Sequence, residues 1–281
     1  MQVKLNGVDM RYFLTSEGTG GWLTFIHPLG GDLSVWDQLA TAFAAHFRVL
    51  RYDLRGHGPT GDGTPFTIAD LSADLLALLD RCHVSRTHIV GLSLGALVAQ
   101  EFALRHPARV GRLALCDALT DPSDAARQAF AARAALVRRR GMAPLVAPLL
   151  DHSFSAHFSR AHPEVTEQVH DVLAGTDPAG YAAGCDAIAT FDGGARFSRI
   201  EAPTLVVTGE EAADVSAAAA ALPLSATAPP ATPPVKSIPP PAAARHLRLR
   251  GAHLATIEDP GGFAAVLLDF LKTDSIAPLP A

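Results

Sequence analysis

Residues 87–104, THIVGLSLGALVAQEFAL, join an apolar run to a helical segment through one tight turn. The order strand, Gly-x-Ser-x-Gly, helix is the context in which this motif presents a nucleophile. The residues two before and two after the serine must be small, and glycine meets this need because it has no Cβ. Ser93 then lies at a helix N-terminus, where free N–H groups favour developing negative charge. We therefore predict that Ser93 is a nucleophile; an ordinary glycine-rich turn is the alternative.

Strand and helix patterns alternate on both sides of this turn. Short apolar runs typical of buried parallel strands lie at residues 22–26, 47–52, 112–116, 202–209 and 246–249. Helical periodicity separates them, most clearly over residues 68–79, and a final helix begins near Asp259-Pro260. This alternation predicts an α/β fold with a mostly parallel, doubly wound sheet.

Residues 120–200 interrupt the alternation with helical segments rich in Ala and Arg and with no convincing strand. The clearest helices are expected over 125–140, 144–150 and 164–174. Because this stretch lies between two sheet strands, we expect a helical cap inserted into a core made of residues 1–119 and 201–281. Within the second part, residues 211–244 contain eight prolines and an alanine run, which predicts a flexible or partly extended loop.

Composition favours a cytoplasmic enzyme acting on a small molecule. The chain has 281 residues, 48% of them hydrophobic, which suffices for a buried parallel sheet. A net charge of −5 without a basic stripe gives no reason to expect nucleic acid. The three cysteines are too scattered for a disulfide framework or a metal cluster. We find neither a signal sequence at the start nor an apolar run of membrane-spanning length.

A nucleophilic serine needs a general base and an acidic partner for that base. Among the twelve histidines, His253 follows the last strand in Gly-x-His, which matches the chain order serine, acid, histidine. The acid is expected in the loop after the 202–209 strand, and we predict Asp214. Asp117, at the end of the strand that follows the serine helix, is the alternative acid.

Attack of Ser93 on a substrate carbonyl also needs two N–H groups that bind the carbonyl oxygen; together they form the oxyanion hole. Leu94, immediately after the nucleophile, is the first donor. The second is expected in the loop after residue 26, where Pro28 has no N–H, so Leu29 is the candidate.

Several longer segments carry a family resemblance. They are LGGDLSVW at 29–36, FRVLRYDLRGHG at 47–58, the serine turn, RRRGM at 138–142, GYAAGCDAI at 180–188 and AHL at 252–254. With these segments the chain resembles the α/β-hydrolases, and among them the 3-oxoadipate enol-lactonases. The resemblance implies an α/β-hydrolase fold and a small enol-lactone substrate that carries a carboxylate. It also implies an acyl-enzyme on Ser93, no metal or organic cofactor, and compatibility with a homo-oligomer.

The substrate carboxylate implied by the resemblance needs a cationic partner, and we predict Arg138 in the cap. A solvated basic helix is the alternative for this arginine. The chain also departs from the family, because residues 216–230 separate Asp214-Val215 from Thr232-Pro233 and resemble an insertion in the acid loop. Two other functions therefore stay open: a general carboxylesterase or cofactor-free perhydrolase on the same triad, and a non-catalytic binding protein.

Overall fold

An eight-stranded sheet forms the centre of the computed structural model, which describes residues 1–15, 17–61, 63–118, 121–211 and 244–272. The strands are β1 (Gln2–Leu5), β2 (Val8–Thr15), β3 (Trp22–Ile26), β4 (Arg48–Tyr52), β5 (Thr87–Leu92), β6 (Val110–Cys116), β7 (Thr204–Gly209) and β8 (Arg245–Leu249). Their order is β1-β2-β4-β3-β5-β6-β7-β8. β2 pairs antiparallel with β1 and β4, and the pairs from β4 to β8 are parallel. The mostly parallel sheet expected from the sequence is confirmed.

Helices cover both faces of the sheet. They are α1 (Asp37–Ala44), α2 (Ile68–Arg81), α3 (Leu94–Arg105), α9 (Ala255–Glu258) and α10 (Pro260–Lys272). Successive strand residues point to opposite faces, so Ile89 of β5 joins the core cluster with α2 and α3, whereas Val90 joins the cluster with α1 and α10. Both faces are therefore buried, which explains why the central strands are apolar without a polar alternation.

Further helices lie between β6 and β7, where the sequence predicts a cap. They are α4 (Asp124–Arg140), α5 (Ala143–Ser153), α6 (Ala156–Ala161), α7 (Pro163–Gly175) and α8 (Pro178–Thr190). The helices expected over 125–140, 144–150 and 164–174 are confirmed as α4, α5 and α7. Helix α8 was not among the expected helices because its two glycines weaken the helical signal. Asp177 caps it, accepting hydrogen bonds from the N–H groups of Ala179 and Gly180.

Glycines of α8 let the cap lie directly on the loops that follow β3 and β4. A Cβ added at Gly180 would lie 2.0 Å from the carbonyl oxygen of Gly56, and one at Gly184 would lie 2.5 Å from Cδ1 of Leu29. Side chains at either position would push the cap away from the core. The close approach places α8 over the carboxyl ends of the strands, where the predicted site residues lie.

Most of the proline-rich stretch, residues 212–243, lies outside the described residues, and so does Asp214. The described residues on either side of this stretch are hydrogen bonded to each other, since the N–H of Glu211 donates to the carbonyl oxygen of Gly251 at 2.9 Å. Among the helices in the described ranges, none is long and apolar enough to cross a membrane.

Candidate active site

Ser93 occupies a strained turn between β5 and α3. Its φ of 53° and ψ of −113° lie outside the regions that L-residues ordinarily populate. The two flanking glycines have no room for a side chain, because a Cβ at Gly91 would lie 2.3 Å from the oxygen of Gly95 and one at Gly95 2.3 Å from the oxygen of Ile26. The Ser93 N–H donates to the carbonyl oxygen of Cys116 at 2.9 Å and so continues the β5–β6 ladder. The side chain is thereby held in a fixed position at the edge of the sheet.

His253 follows β8 and lines the same cavity as Ser93. The ring is buried, and burial, with the nearby His152 and Arg133, lowers the pKa of His253 to about 3. The imidazole is therefore neutral at pH 7, which is the form a general base requires. His152 of α5 stacks on it, with ring centroids 5.1 Å apart and planes inclined by 23°.

Among the residues that the structure describes, Asp117 is the carboxylate paired with His253. Its Oδ2 lies 3.9 Å from Nδ1 of His253, and within the described ranges that Nδ1 has no hydrogen-bond partner. Asp117 follows β6 with a left-handed φ of 43°, and its Oδ1 accepts the N–H of Gly209 at 3.2 Å. Burial raises the pKa of Asp117 to about 7, against the opposing effect of that hydrogen bond. Because Asp214 lies outside the described residues, its role stays a prediction.

The loop after β3 carries the second expected oxyanion donor, Leu29. His27 holds this loop, since its Nδ1–H donates to the carbonyl oxygen of Pro28 at 2.8 Å and its Nε2 accepts the N–H of Leu54 at 2.9 Å. Burial lowers the pKa of His27 to about 4 and keeps the ring neutral, as this bonding pattern requires. Leu29 and Ser93 line the same cavity, and Leu94 is the first residue of α3. Both leucine side chains approach Gly184 of the cap.

Cap and core together enclose the cavity above Ser93. Its walls are mainly aliphatic and include Leu149, Val165, Val169, Val172, Leu173 and Ile188. The polar groups that face it include Ser93, His152, Tyr181, His253 and Arg133. Such a site favours a small, largely apolar ligand with one charged group.

Arg133 of α4 brings a positive charge into this cavity, and sequence reasoning missed it. The residue is only 6% exposed, and its guanidinium lies 4.8 Å from the ring centroid of Phe130. Its Nη1 donates a long hydrogen bond of 3.4 Å to the Tyr181 hydroxyl, and Nε has no partner in the described part of the chain. A buried cation without a carboxylate partner is costly unless a ligand supplies the anion.

Arg138, the arginine predicted from the sequence, lies elsewhere. It forms an ion pair with Asp186 of α8, and both side chains are nearly half exposed. Arg138 is not among the residues that line the cavity. The structure therefore does not bring Arg138 to Ser93. The described residues also contain no group of three His, Cys, Asp or Glu side chains that could hold a metal ion.

Comparison with known proteins identifies the family of the chain. The chain matches the family model described as the alpha/beta hydrolase fold over residues 21–220. It is 33% identical to 3-oxoadipate enol-lactonase 2 of Acinetobacter baylyi over 73% of this chain and 76% of that protein. It is 32% identical to RutD of Variovorax paradoxus, named for carbamate hydrolysis, over 71% and 77%. The crystal structure of the enol-lactonase from Burkholderia xenovorans LB400 superposes with a TM-score of 0.85 at 31% identity, covering 96% of this chain and 99% of that one. The chain belongs to the α/β-hydrolase family, and the resemblance to the enol-lactonases is confirmed.

Proposed function

We propose that the protein is a serine hydrolase that opens a small enol-lactone carrying a carboxylate, through an acyl-enzyme on Ser93. One observation carries the proposal: Ser93, His253 and the unpaired buried cation of Arg133 line one cavity. The names of the enol-lactonase relatives support the same substrate class.

The reaction follows from the protonation states of the site. Ser93 Oγ attacks the lactone carbonyl while neutral His253 takes its proton. The N–H groups of Leu29 and Leu94 stabilise the oxyanion. Collapse of the tetrahedral intermediate breaks the ring C–O bond, and the proton held by His253 passes to the departing enolate oxygen, which gives an enol and returns His253 to its neutral form. The enol then tautomerises to a ketone. Water activated by His253 hydrolyses the ester on Ser93 and releases the second carboxylate.

We further propose Asp117 as the partner that stabilises the imidazolium form of His253. In the resting site His253 is neutral, so attraction between the two residues is weak. When His253 takes the proton of Ser93, its ring becomes positively charged, with Nδ1 3.9 Å from Oδ2 of the Asp117 carboxylate. The stabilisation therefore acts mainly in the transition state, where it accelerates the reaction.

Arg133 replaces Arg138 in this proposal as the group that binds the substrate carboxylate. Its guanidinium is buried and faces the cavity, whereas Arg138 already pairs with Asp186 outside it. A guanidinium can bind a carboxylate through two parallel hydrogen bonds, which fixes the orientation of the lactone over Ser93.

A hydrolysis screen tests the proposal. The wild type and Ser93→Ala are assayed on 3-oxoadipate enol-lactone and on p-nitrophenyl acetate. We expect a clear preference in kcat/KM for the lactone and no turnover by the variant. A general carboxylesterase is the second candidate, favoured by the aliphatic cavity walls. Equal or better turnover of the neutral ester would favour it over the lactonase.

A further inference from the structure

One carboxylate connects the loop that carries His253 to the cap. Oε1 of Glu258, at the end of α9, accepts the N–H of Ala252 at 2.7 Å and the N–H of Ser155 at 2.9 Å. Oε2 accepts the hydroxyl of Ser155 at 2.6 Å. Ala252 immediately precedes His253, and Ser155 is the N-cap of α6 in the cap. The Glu258 side chain therefore binds both sides of the boundary between cap and core.

Two more contacts cross the same boundary on the other side of His253. The N–H of Leu254 donates to the carbonyl oxygen of Ser153 at 2.9 Å. His152 stacks on the His253 ring. The residues before and after His253 are thus both hydrogen bonded to groups that fix them against the cap.

The Ser155 hydroxyl cannot rotate freely in this arrangement. It donates to Glu258 and accepts the N–H of Phe158 at 3.2 Å, so both its hydrogen-bonding roles are in use. Gly251 also lies against the carboxylate, because a Cβ added there would lie 3.0 Å from Cδ of Glu258. With a φ of 115°, Gly251 turns the chain sharply from β8 towards this contact.

We propose that Glu258 is a positioning residue for His253, which it holds by joining residues 251–254 to the start of α6. Such a group is needed because the His253 ring is not fixed by its acid. The Asp117 carboxylate is 3.9 Å away, beyond hydrogen-bond range. The backbone on either side of His253 then sets the position of the ring, and a displacement of about 1 Å can cost about a hundredfold in rate. The proposal rests on the proposed role of His253 as base for Ser93.

A local structural role for Glu258 is the competing explanation, and Asp259 provides a matched control. Its Oδ1 accepts the N–H of Gly262 at 2.8 Å at the start of α10. Asp259 is the next residue after Glu258, and its carboxylate also accepts a backbone N–H. Asp259→Ala removes that carboxylate and leaves the hydrogen bonds of residues 251–254 with the cap in place. Any effect specific to Glu258→Ala therefore belongs to the connection between cap and His253.

The experiment compares Glu258→Ala, Glu258→Gln, Ser155→Ala and Asp259→Ala by steady-state ester hydrolysis and by hydrogen exchange. For Glu258→Ala we expect kcat to fall about tenfold to a hundredfold, with KM changed less than about threefold. Glu258→Gln should recover part of kcat, because the amide oxygen still accepts both backbone N–H groups. Ser155→Ala should lower kcat less than Glu258→Ala, and Asp259→Ala should leave it unchanged.

Hydrogen exchange supplies a readout that does not depend on turnover. In Glu258→Ala, exchange should quicken in peptides covering 251–254 and 153–158, including the N–H of Leu254, which donates to Ser153 and not to the Glu258 side chain. Asp259→Ala should leave these peptides protected. Wild-type kcat with normal protection in Glu258→Ala, or equal losses in Asp259→Ala, would overturn the proposal.

Two further outcomes separate this inference from the proposed function. If Glu258→Ala does not fold, Glu258→Gln and Ser155→Ala decide, and wild-type kcat with normal protection in both overturns the positioning role. If the wild type neither turns over esters nor reacts at Ser93 with a fluorophosphonate, the proposed function fails. The exchange comparison still tests whether Glu258 fixes the His253 loop.

Discussion

Replacing Asp117 by Asn is the sharpest test of the proposed site. Asparagine keeps the side-chain volume and the oxygen that accepts the Gly209 N–H, but it removes the charge that faces His253. The attraction between residues 117 and 253 should change little in the ground state, because His253 is neutral there. The loss should therefore appear in the transition state, when the imidazolium forms.

The structure gives the size of this loss. Two unit charges 3.9 Å apart attract each other by about 4 kcal/mol at an effective dielectric constant of about 20. Each 1.4 kcal/mol corresponds to about a factor of ten in rate. Above pH 7, where Asp117 is ionised, we expect kcat/KM of Asp117→Asn to be lower by about a thousandfold. The imidazolium charge is shared between two nitrogens, so a loss nearer a hundredfold still agrees with the mechanism.

The assay is kcat/KM on the lactone and on p-nitrophenyl acetate, with Asp214→Asn as the matched control. Asp214 is the acid first expected from the sequence, so the two variants test the two assignments directly. A thousandfold loss in Asp214→Asn, with Asp117→Asn within about threefold of wild type, would refute the geometric argument.

Stability distinguishes a lost charge from a damaged fold. Burial raises the pKa of Asp117 from 3.8 to about 7, so the folded state favours the protonated carboxyl. The stability this gives is present at low pH and is lost as pH rises through about 7. Asn resembles the protonated form, so Asp117→Asn should equal wild type near pH 4 and exceed it above pH 7, by about 4 kcal/mol at most. Denaturant unfolding at both pH values measures this.

Three further substitutions and one pH profile test the rest of the site. Ser93→Ala should remove hydrolysis, by about 10⁴-fold or more, with an unchanged circular dichroism spectrum; appreciable turnover would exclude the serine mechanism. Arg133→Met should lower kcat/KM on the carboxylated lactone by about a hundredfold without lowering it on the neutral ester; equal losses on both would remove its role. Gly95→Ala should destabilise by about 2 kcal/mol or more in urea unfolding, because its Cβ would lie 2.3 Å from the Ile26 oxygen; an unchanged midpoint would contradict this. The pKa of Asp117 is raised to about 7 and that of His253 is lowered to about 3, so kcat/KM should fall once as Asp117 takes up a proton near pH 7 and again, well below pH 6.5, as His253 does. The contribution of His253 to stability should decrease as pH falls below 6.5, because the unfolded histidine takes up the proton first.

The sheet and the serine turn were predictable because their signals are local. Residues 87–104 contain the strand, the turn and the helix, and the sterics of Gly91 and Gly95 act within that stretch and against the neighbouring strand. The position of His253 at a strand end likewise follows from chain order. The sequence could not give the distance from His253 to the loops that follow β6 and β7, and so it could not decide which acid is its partner. β6 and β7 are parallel neighbours, so acids after either strand reach the same edge of the sheet.

The periodicity of α4 could have indicated from the sequence which of its arginines faces the cavity. Phe130, Ala134 and Val137 of this helix are buried, and Arg133 is buried with them. These positions follow the spacing of three and four residues that marks one helix face. Arg138 is four residues from Ala134 but adjacent to Val137, from which it points about 100° away, so it lies at the margin of this face. Apolar periodicity would have placed Arg133 within the inner face and Arg138 at its margin.

The charge of Arg133 links substrate binding to the strength of the base. In the unliganded cavity Arg133 and His152 both lower the pKa of His253, after burial itself. A carboxylate bound to Arg133 compensates that positive charge, so the imidazolium of His253 becomes easier to form. In the proposed reaction the substrate carboxylate therefore raises kcat as well as lowering KM, because part of its binding energy is expressed only in the transition state. For the same reason Arg133→Met should shift to higher pH the fall in kcat/KM for the neutral ester that protonation of His253 causes. If that fall does not move, Arg133 acts on the substrate alone.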